Sequence, residues 1–323
     1  MKSDNPPTKH HYIPAFYLSR WAGNLGKVTE FAKVHGGKIV TKPKMPERTG
    51  YKERLYEMQG VEPELAQQFE EKYFKPIDTM AADALQLLYR HGHNASWTAK
   101  SRTAWTRFMM SLLLRCPEDI DAFREWWHDD FASTDAEAEA RYQATRTPGD
   151  PATFSDYLDS QPLAVKERYM IEMLNSLLEH DSVGTNINNM EWRVLETPAS
   201  APRLLTSDRP VIRSNSLKGE QGHIALPIGP RLLFIASHDT RFLNGLLGAD
   251  QTRLVKECNR QVVEGAVRFV YAVDESQTRF IENRFGRTPQ PRLIEQIIDR
   301  RRSARVATKR EAGPTAPAAG IPS

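Results

Sequence analysis

The sequence predicts an α+β fold in which a helical N-terminal half packs on a mostly antiparallel sheet formed by the C-terminal half. Three observations support this prediction. Apolar residues recur every three or four positions from residue 62 to about 182, which is the period of an amphipathic helix. After residue 184 they come in short runs separated by Pro, Gly, Ser or Asp, a pattern typical of strands. Near the start, residues 27–42 alternate around a glycine pair.

The alternating segment KVTEFAKVHGGKIVTK predicts a β-hairpin that is available to join the sheet. Gly36 and Gly37 occupy its turn, where a hairpin needs residues that adopt positive φ. Residues 43–61 are rich in Pro, Gly and charged side chains. This composition predicts a loop between the hairpin and the helical half.

The helical half contains four predicted segments and one polar insertion. The first begins at Glu62 and runs through Leu88, with Pro76 either kinking it or starting a second helix. The others cover about residues 97–115, 118–132 and 162–181. Between them, residues 133–160 are polar and contain Pro-Gly, which predicts an exposed helix end followed by a mobile loop.

The C-terminal half supplies the predicted sheet. Its candidate strands are EWRVLET, RLLTSD, PVIR, HIALPI, RLLFIAS and AVRFVYAV. Helices are predicted at about 249–264, 276–285 and 290–302. We therefore expect a single α+β domain over residues 1–303, with a helical subregion at about 62–182 and a sheet-rich subregion at about 185–303. Residues 304–323 are predicted to form a disordered basic tail.

The net charge of +3 over 323 residues hides an uneven distribution. Residues 300–323 hold six Lys or Arg and one Glu, so this tail carries +5 and the rest of the chain −2. Nonspecific attraction to nucleic acid requires cations that face the phosphates, and here it must come from a local patch or from the tail. No stretch reaches the roughly 20 apolar residues of a membrane helix, and the start lacks the apolar region of a signal peptide. Cytoplasmic localisation without a membrane partner is predicted.

Several classes of site are excluded by spacing. Cys116 and Cys258 stand alone, without the C-x-x-C spacing of a thiolate zinc site or the numbers of a disulfide framework. The phosphate-loop motifs G-x-x-x-x-G-K-[ST] and G-x-G-x-x-G do not occur. The hydrolase motifs G-x-S-x-G and H-E-x-x-H are missing as well. Any site must therefore be assembled from dispersed residues.

Lys9, His10 and His11 open the stretch KHHYIPAFYLSRW and are the first candidates. Histidine titrates near neutrality and can act as base, acid or metal ligand, and the neighbouring lysine suits an anionic substrate. The aromatic and proline residues that follow are expected to hold the segment against an apolar surface. The competing interpretation is that both imidazoles are surface or capping groups.

Arg115 and Asp208 are candidates for different reasons. Arg115 projects from the apolar stripe of its predicted helix, and a guanidinium directed at a core needs a carboxylate, a carbonyl or a bound anion. Glu70 is the partner expected if the role is structural. Asp208 ends the run LLTSD before Arg209-Pro210. A carboxylate at a strand end can be a ligand, a base or an orienting group, although Asp also simply forms turns.

Asn259 is the remaining candidate. It lies on or beside the buried face of its predicted helix, because Val255 and Val262 are four positions before it and three after it. A buried amide must be hydrogen-bonded. It either clamps the backbone of a neighbouring segment or lines a pocket, and the sequence favours neither.

Five segments together resemble a known family. They are KHHYIPAFYLSRW, MMSLLLRCPE, LLTSDRPV, ALPIGPRLLF and CNRQVVEGAVRFVYA, and they resemble, in the same order from about residue 8 to 275, an uncharacterised bacterial family catalogued as domain of unknown function 4238. The family usually has Ser-Pro after the Pro-Leu of its later strand turn, where this chain reads Pro227-Ile228-Gly229-Pro230. The family label brings no activity with it.

The resemblance implies which polar groups form the family pattern. They are His10, His11, Arg115, Asp208 and Asn259. If these groups meet in space, they provide bases, an anion clamp and an orienting carboxylate, which is the equipment of a hydrolase for a phosphate-bearing substrate and, in one form, of a nuclease.

On this hypothesis the roles divide into two groups. The catalytic residues are His10, His11 and Asp208, and the substrate-binding residues are Lys9, Arg115 and Asn259. His11 and Asp208 are the candidate ligands if a divalent metal is the cofactor, which the sequence leaves open. Nucleic acid or a nucleotide is then the expected partner. The alternative function is a non-catalytic binding or scaffold protein in which these residues are structural.

Overall fold

The computed structural model describes residues 8–61, 70–128, 136–178, 181–214, 216–288 and 291–311. Within these residues the predicted α+β class is confirmed, with most helices before residue 188 and most strands after residue 190. The strands are β1 (Lys9–His11), β2 (Val28–Lys33), β3 (Ile39–Lys44), β4 (Tyr51–Glu53), β5 (Glu191–Glu196), β6 (Thr206–Ser207), β7 (Ile212–Arg213), β8 (His223–Gly229), β9 (Leu232–Ser237) and β10 (Phe269–Ala272).

The strands form antiparallel sheets that connect distant parts of the chain. The first four-stranded sheet has the order β3-β2-β10-β6, and the second has the order β5-β9-β8-β7. A separate two-stranded sheet pairs β1 with β4. In the first sheet Phe31 of β2 lies opposite Val270 of β10. The N-terminal hairpin therefore joins the C-terminal strands, as the sequence predicts.

The hairpin forms where the glycine pair was expected to turn the chain. Val28 to Lys33 pair in antiparallel register with Lys44 to Ile39. Gly36 and Gly37 have φ angles of +75° and +76°, in the left-handed region that side chains with a Cβ rarely adopt.

Most of the helices lie in the N-terminal half of the chain, and the others lie between or after the C-terminal strands. They are α1 (Ala15–Leu18), α2 (Lys75–His91), α3 (Ala99–Leu112), α4 (Pro117–Trp126), α5 (Ala136–Thr145), α6 (Phe154–Ser160), α7 (Leu163–Leu178), α8 (Asp181–Asn188), α9 (Thr240–Leu247), α10 (Gln251–Gly265), α11 (Thr278–Glu282) and α12 (Leu293–Glu311). A turn of π-helix at Glu70–Phe74 leads into α2. None of the helices in the described ranges combines the length and apolarity needed to cross a membrane.

Local signals explain where several helices begin. Pro76 stands in the first turn of α2, where its missing N–H costs nothing. Thr98 and Ser101 form a reciprocal capping box at the start of α3. Asp250 accepts hydrogen bonds from the backbone N–H groups of Thr252 and Arg253 at the start of α10.

Two boundaries differ from the sequence-based expectation. The predicted loop at 133–160 contains α5 and α6, because its Ala, Glu and Arg residues favour helix and Thr153 caps α6. The last helix continues to Glu311 instead of ending near 302, since good helix formers persist up to Gly313. Residues 304–311 of the predicted disordered tail (304–323) are thus helical. The remaining part of that tail, 312–323, and the first eight residues of the first predicted helix, 62–69, lie outside the described residues.

The N-terminal segment ties the helices to both four-stranded sheets. The Tyr17 hydroxyl donates to the carbonyl of Pro227 at 2.8 Å and shares a 2.7 Å hydrogen bond with the Thr206 hydroxyl. The indole N–H of Trp21 donates to the carbonyl of Leu204 at 2.8 Å. Both side chains are fully buried. The rings of Tyr17 and Phe108 of α3 lie 6.1 Å apart, so this segment also contacts the helical half.

Replacing Tyr17 with Phe tests this connection. The change keeps the ring but leaves the buried Pro227 carbonyl and Thr206 hydroxyl without their partner. We expect a loss of about 1–3 kcal/mol in the free energy of unfolding, measured by urea denaturation. Tyr89→Phe is the control, since Tyr89 is 50% exposed. Equal stability of the two variants would contradict the assigned role.

Candidate functional site

His10 is buried inside the two-stranded sheet that it helps to form. It has no solvent exposure, and its Nδ1 accepts a 3.0 Å hydrogen bond from the backbone N–H of Tyr56. Its ring stacks on the Tyr56 ring at 5.4 Å between centroids with an interplanar angle of 6°. In this environment the imidazole holds the chain segment after β4 against β1.

Lys9 and His11 lie nearer the surface than His10. Lys9 is exposed, with its ammonium 4.9 Å from the centroid of the Tyr51 ring. The Nε2–H of His11 donates to the carbonyl of Glu47 at 3.3 Å. Burial lowers the pKa of His11 and the Arg115 and Lys9 charges lower it further, against the opposing effect of the Glu47 carbonyl. His11 is thus the candidate base that is both titratable and partly accessible.

Arg115 is completely buried between two aromatic rings. Its guanidinium lies 5.6 Å from the Phe74 ring centroid and 5.5 Å from that of Phe108, and its Nη1 forms a 2.9 Å ion pair with Asp78. The partner expected from sequence was Glu70, and this expectation is wrong as regards the ion pair. Asp78 lies eight residues further along, close to two helical turns, and therefore reaches the guanidinium from α2.

Glu70 nevertheless belongs to this cluster. Burial raises its pKa to about 8, with a further increase from the Asp78 charge and an opposing decrease from Arg115. Its Oε2 has no hydrogen-bond partner within the described part of the chain. With this pKa, Glu70 keeps its proton at neutral pH. The cluster of Glu70, Asp78 and Arg115 therefore carries one negative charge fewer than it would with both carboxyl groups ionised.

Asp208 accepts hydrogen bonds from three successive backbone amides. Its carboxylate oxygens receive the N–H groups of Val267 at 3.0 Å, Arg268 at 2.5 Å and Phe269 at 3.2 Å. It is 2% exposed, and burial raises its pKa to about 6 even though the Val267 and Arg268 amides act in the opposite direction. The carboxylate fastens the end of β6 to the start of β10.

Three of the candidates are joined through a continuous set of buried contacts. The Tyr56 hydroxyl, next to His10, donates to the carbonyl of Arg115 at 3.0 Å. The thiol of Cys116 donates to the carbonyl of Asp208 at 3.0 Å. These contacts reach Arg115 and Asp208 through their backbone carbonyls, so they link the segments that carry the three residues and do not join the three side chains in one open pocket. The Nδ1 of His10 and the Asp208 carboxylate hold neighbouring backbone, whereas Nε and Nη2 of Arg115 have no hydrogen-bond partner within the described residues.

The proposed metal ligands do not form a ligand set of their own. The Asp208 oxygens already accept backbone N–H groups, and the Nε2–H of His11 is directed to the Glu47 carbonyl. Among the residues that the structure describes, no group of three or more His, Cys, Asp or Glu side chains is suited to hold a metal ion. The residues present therefore do not fit a divalent cation at this place.

Asn259 has a separate location on α10. Its side-chain oxygen accepts from the N–H of Leu205 at 2.8 Å, and its amide donates to the Arg203 carbonyl at 2.9 Å and to Oε1 of Gln277 at 3.0 Å. Gln277 in turn donates to the same Arg203 carbonyl at 2.8 Å. Of the two roles left open by the sequence, clamping the backbone is observed, and the residue also lies in the wall of a groove.

That groove, here called the basic groove, lies between α10, the segment 200–203 and the segment 276–284, and encloses about 920 Å³. Among the described residues that line it, six side chains are cationic and one, Glu257, is a carboxylate. The cations are Arg203, Arg253, Lys256, Arg260, Arg279 and Arg284. The aromatic ring of Phe280 completes the lining.

The cations of the basic groove differ in how they are neutralised. Arg203 pairs with Asp274, and Arg260 pairs with both Glu257 and Glu264. The other four have no ion-pair partner within the described residues; they are Arg253, Lys256, Arg279 and Arg284. The local charge is therefore positive even though residues 1–299 sum to −2. The sequence left a local patch or the tail as the source of any attraction to nucleic acid, and this groove is such a patch.

One wall of the basic groove could have been predicted from the sequence. Arg253, Lys256 and Arg260 are spaced i, i+3 and i+7, which places them on one face of a helix. The opposite wall, with Arg279 and Arg284, gave no such signal, because the contact between that segment and α10 depends on the folding of the chain between them.

The chain belongs to a family that is described as protein of unknown function (DUF4238), whose model matches residues 9–276. The resemblance stated from the sequence is thereby confirmed. No match is found among the curated proteins or among the solved structures. The match includes the buried cluster around Asp208 and all of α10, but it ends at residue 276, before α11.

Asp208→Asn tests whether the carboxylate is structural. An amide presents N–H₂ to backbone N–H groups that need acceptors, so at least one buried donor loses its partner. We expect a loss of about 2–4 kcal/mol in the free energy of unfolding, measured by urea denaturation. Asp83→Asn, at an exposed position of α2, is the control and should change little. A stable Asp208 variant would refute the structural assignment.

Glu70→Gln tests the buried acid by its pH dependence. A carboxyl with a pKa of about 8 in the folded protein and near 4.3 when unfolded keeps a proton that the unfolded chain releases. The free energy of unfolding should therefore fall as pH rises from about 4.5 to about 8. The variant should lose this part of the pH dependence, whereas Glu71→Gln at the neighbouring, more exposed position should retain it. Identical pH profiles for both variants would contradict the raised pKa.

Proposed function

We propose that this member of the family is a binding protein for a phosphate-bearing ligand, which it holds in the basic groove. The proposal combines the ligand class inferred from the sequence with the alternative of a non-catalytic function. One observation carries it: four cations of the groove have no ion-pair partner within the described residues, although the body of the chain is slightly acidic. Like charges held together favour an anionic ligand that relieves their repulsion.

The composition of the groove favours phosphate among the anions. Five of its six cations are arginines, and the planar guanidinium can give two parallel N–H donors to one phosphate group. Lys256 adds a compact charge on the same helix face as Arg253. The volume of about 920 Å³ is at the upper end of the roughly 300–1,000 Å³ of small-molecule sites, so more than one phosphate can be accommodated.

The hydrolase and nuclease hypothesis stays a prediction. His10, Arg115 and Asp208 are buried and engaged with other parts of the chain, so a proton-transfer role would have to rest on His11 with Lys9 beside it. General acid–base catalysis needs a group within hydrogen-bond reach of the substrate. The geometry therefore supports binding better than catalysis.

Charge reversal on α10 tests the proposed function. The double variant R253E/K256E replaces two exposed cations of the groove and should weaken binding of inorganic tripolyphosphate at least ten-fold, because attraction is replaced by repulsion. Calorimetric titration at low salt measures the dissociation constant. Arg90→Glu on α2 is the matched control, since Arg90 is exposed and outside the groove. Equal affinities for all three proteins, or no binding by the wild type, would reject the proposal.

A further inference from the structure

We infer that the ligand of the basic groove is a single-stranded nucleic acid, whose phosphates contact α10 and one of whose bases stacks on Phe280. This inference rests on the proposed function and names the ligand within the phosphate-bearing class. It depends on three features of the groove: a row of cations on one wall, an aromatic ring on the other, and the confinement of the unpaired cations to one groove of a slightly acidic body.

The first feature is the row on α10. Arg253 and Lys256 are three residues apart and both face the groove, which separates their Cβ atoms by about 5–6 Å. Arg260 continues the row one turn further, although Glu257 and Glu264 pair with it. A helix thus presents cations in a line, and a line of cations matches the repeated charges of a phosphodiester backbone.

The second feature is an aromatic and guanidinium pair on the facing wall. The guanidinium of Arg284 lies 4.4 Å from the centroid of the Phe280 ring, and both residues line the groove. Phe280 is only partly buried. Phe and Arg planes are the surfaces on which unpaired bases stack. Arg284 stacks on the Phe280 ring and the ring packs against a core cluster, so the exposed part of this pair is the surface that a base opposite the cation row would contact.

The third feature concerns strandedness. Phe280 can reach the face of a base only if that base is unstacked, as it is in a single strand. A duplex would also require phosphate contacts over a wide basic surface, whereas the body of this chain carries a net charge of −2. Unpaired cations that are confined to one groove of a slightly acidic body, residues 1–299, fit one strand better than two.

Fluorescence anisotropy with short labelled oligonucleotides tests the inference. The probes are oligothymidylate, oligouridylate and a duplex of the same length, with inorganic tripolyphosphate as an unlabelled competitor. We expect both single strands to bind more tightly than the duplex, and the comparison of the two strands shows whether DNA or RNA is preferred. Tripolyphosphate should compete for the groove.

Phe280→Leu separates stacking from charge. Leucine preserves the apolar packing of Phe280 against its neighbours but removes the aromatic face, so affinity for the single strands should fall about ten-fold and affinity for tripolyphosphate should not change. Tyr89→Leu is the matched control, because Tyr89 stacks with Arg20 at 4.3 Å outside the groove. It should bind the oligonucleotides like the wild type.

The possible outcomes separate this inference from the proposed function. If tripolyphosphate binds in an R253E/K256E-sensitive manner but Phe280→Leu leaves oligonucleotide affinity unchanged, single-strand recognition is overturned and phosphate binding stands. Tighter binding of the duplex than of the single strands overturns it too. If neither oligonucleotides nor tripolyphosphate bind the wild-type protein, both proposals fail.

Discussion

The connection between the helical half and the first four-stranded sheet depends on the buried carboxylate of Asp208. Asp208 receives the backbone N–H groups of residues 267–269, and its own carbonyl accepts the thiol of Cys116 at the start of α4. One residue therefore connects the helical half with two strands of the first sheet. Burial of a carboxylate is costly unless its oxygens are hydrogen-bonded, and three amides meet that requirement. Its removal would leave donors without acceptors in the interior, where each costs more than the bond itself contributes.

The basic groove is built on the same stretch of chain. Three to five residues before Asp208, the backbone of Arg203 and Leu205 is held by Asn259 from α10. Gln277 fixes the Arg203 carbonyl from the other side. Asn259 of α10 and Gln277 of the facing segment also bond to each other, so one hydrogen-bonded set connects the two walls of the groove. On the proposed function, the cations of the groove repel one another when no ligand is bound, and an anion offsets that repulsion.

The sequence predicted the fold well where local patterns determine it. The period of the helices, the turn at Gly36 and Gly37 and the strand-rich C-terminal half were all readable, because side-chain periodicity reports which face is buried. The pattern also identified His10, Arg115 and Asp208 as exceptional polar positions. Spacing placed Arg115 on the apolar stripe of its helix, but it could not reveal that His10 and Asp208 face inward, since their partners are backbone groups far along the chain.

The sequence also could not predict which residues contact one another. Arg115 needed a carboxylate, and both Glu70 and Asp78 stand on the adjacent helical segment; only packing decides which one forms the ion pair. The facing wall of the groove was equally unpredictable, because Phe280 and Arg284 lie in a short segment with no distinctive spacing. The position of Asn259 was easier to predict. Its place on the helix puts it at the edge of the buried face, where it can contact both the core and a pocket.

Hydrogen exchange measured by mass spectrometry, with and without a short single-stranded oligonucleotide, tests the account most directly, because it locates the ligand without any substitution. The account predicts that bound oligonucleotide slows exchange in residues 251–265 and 276–284, on the two walls of the basic groove, and leaves residues 9–12 unchanged. Slower exchange around His10 and His11 with no change in the groove would contradict it and return the function to the histidine pair.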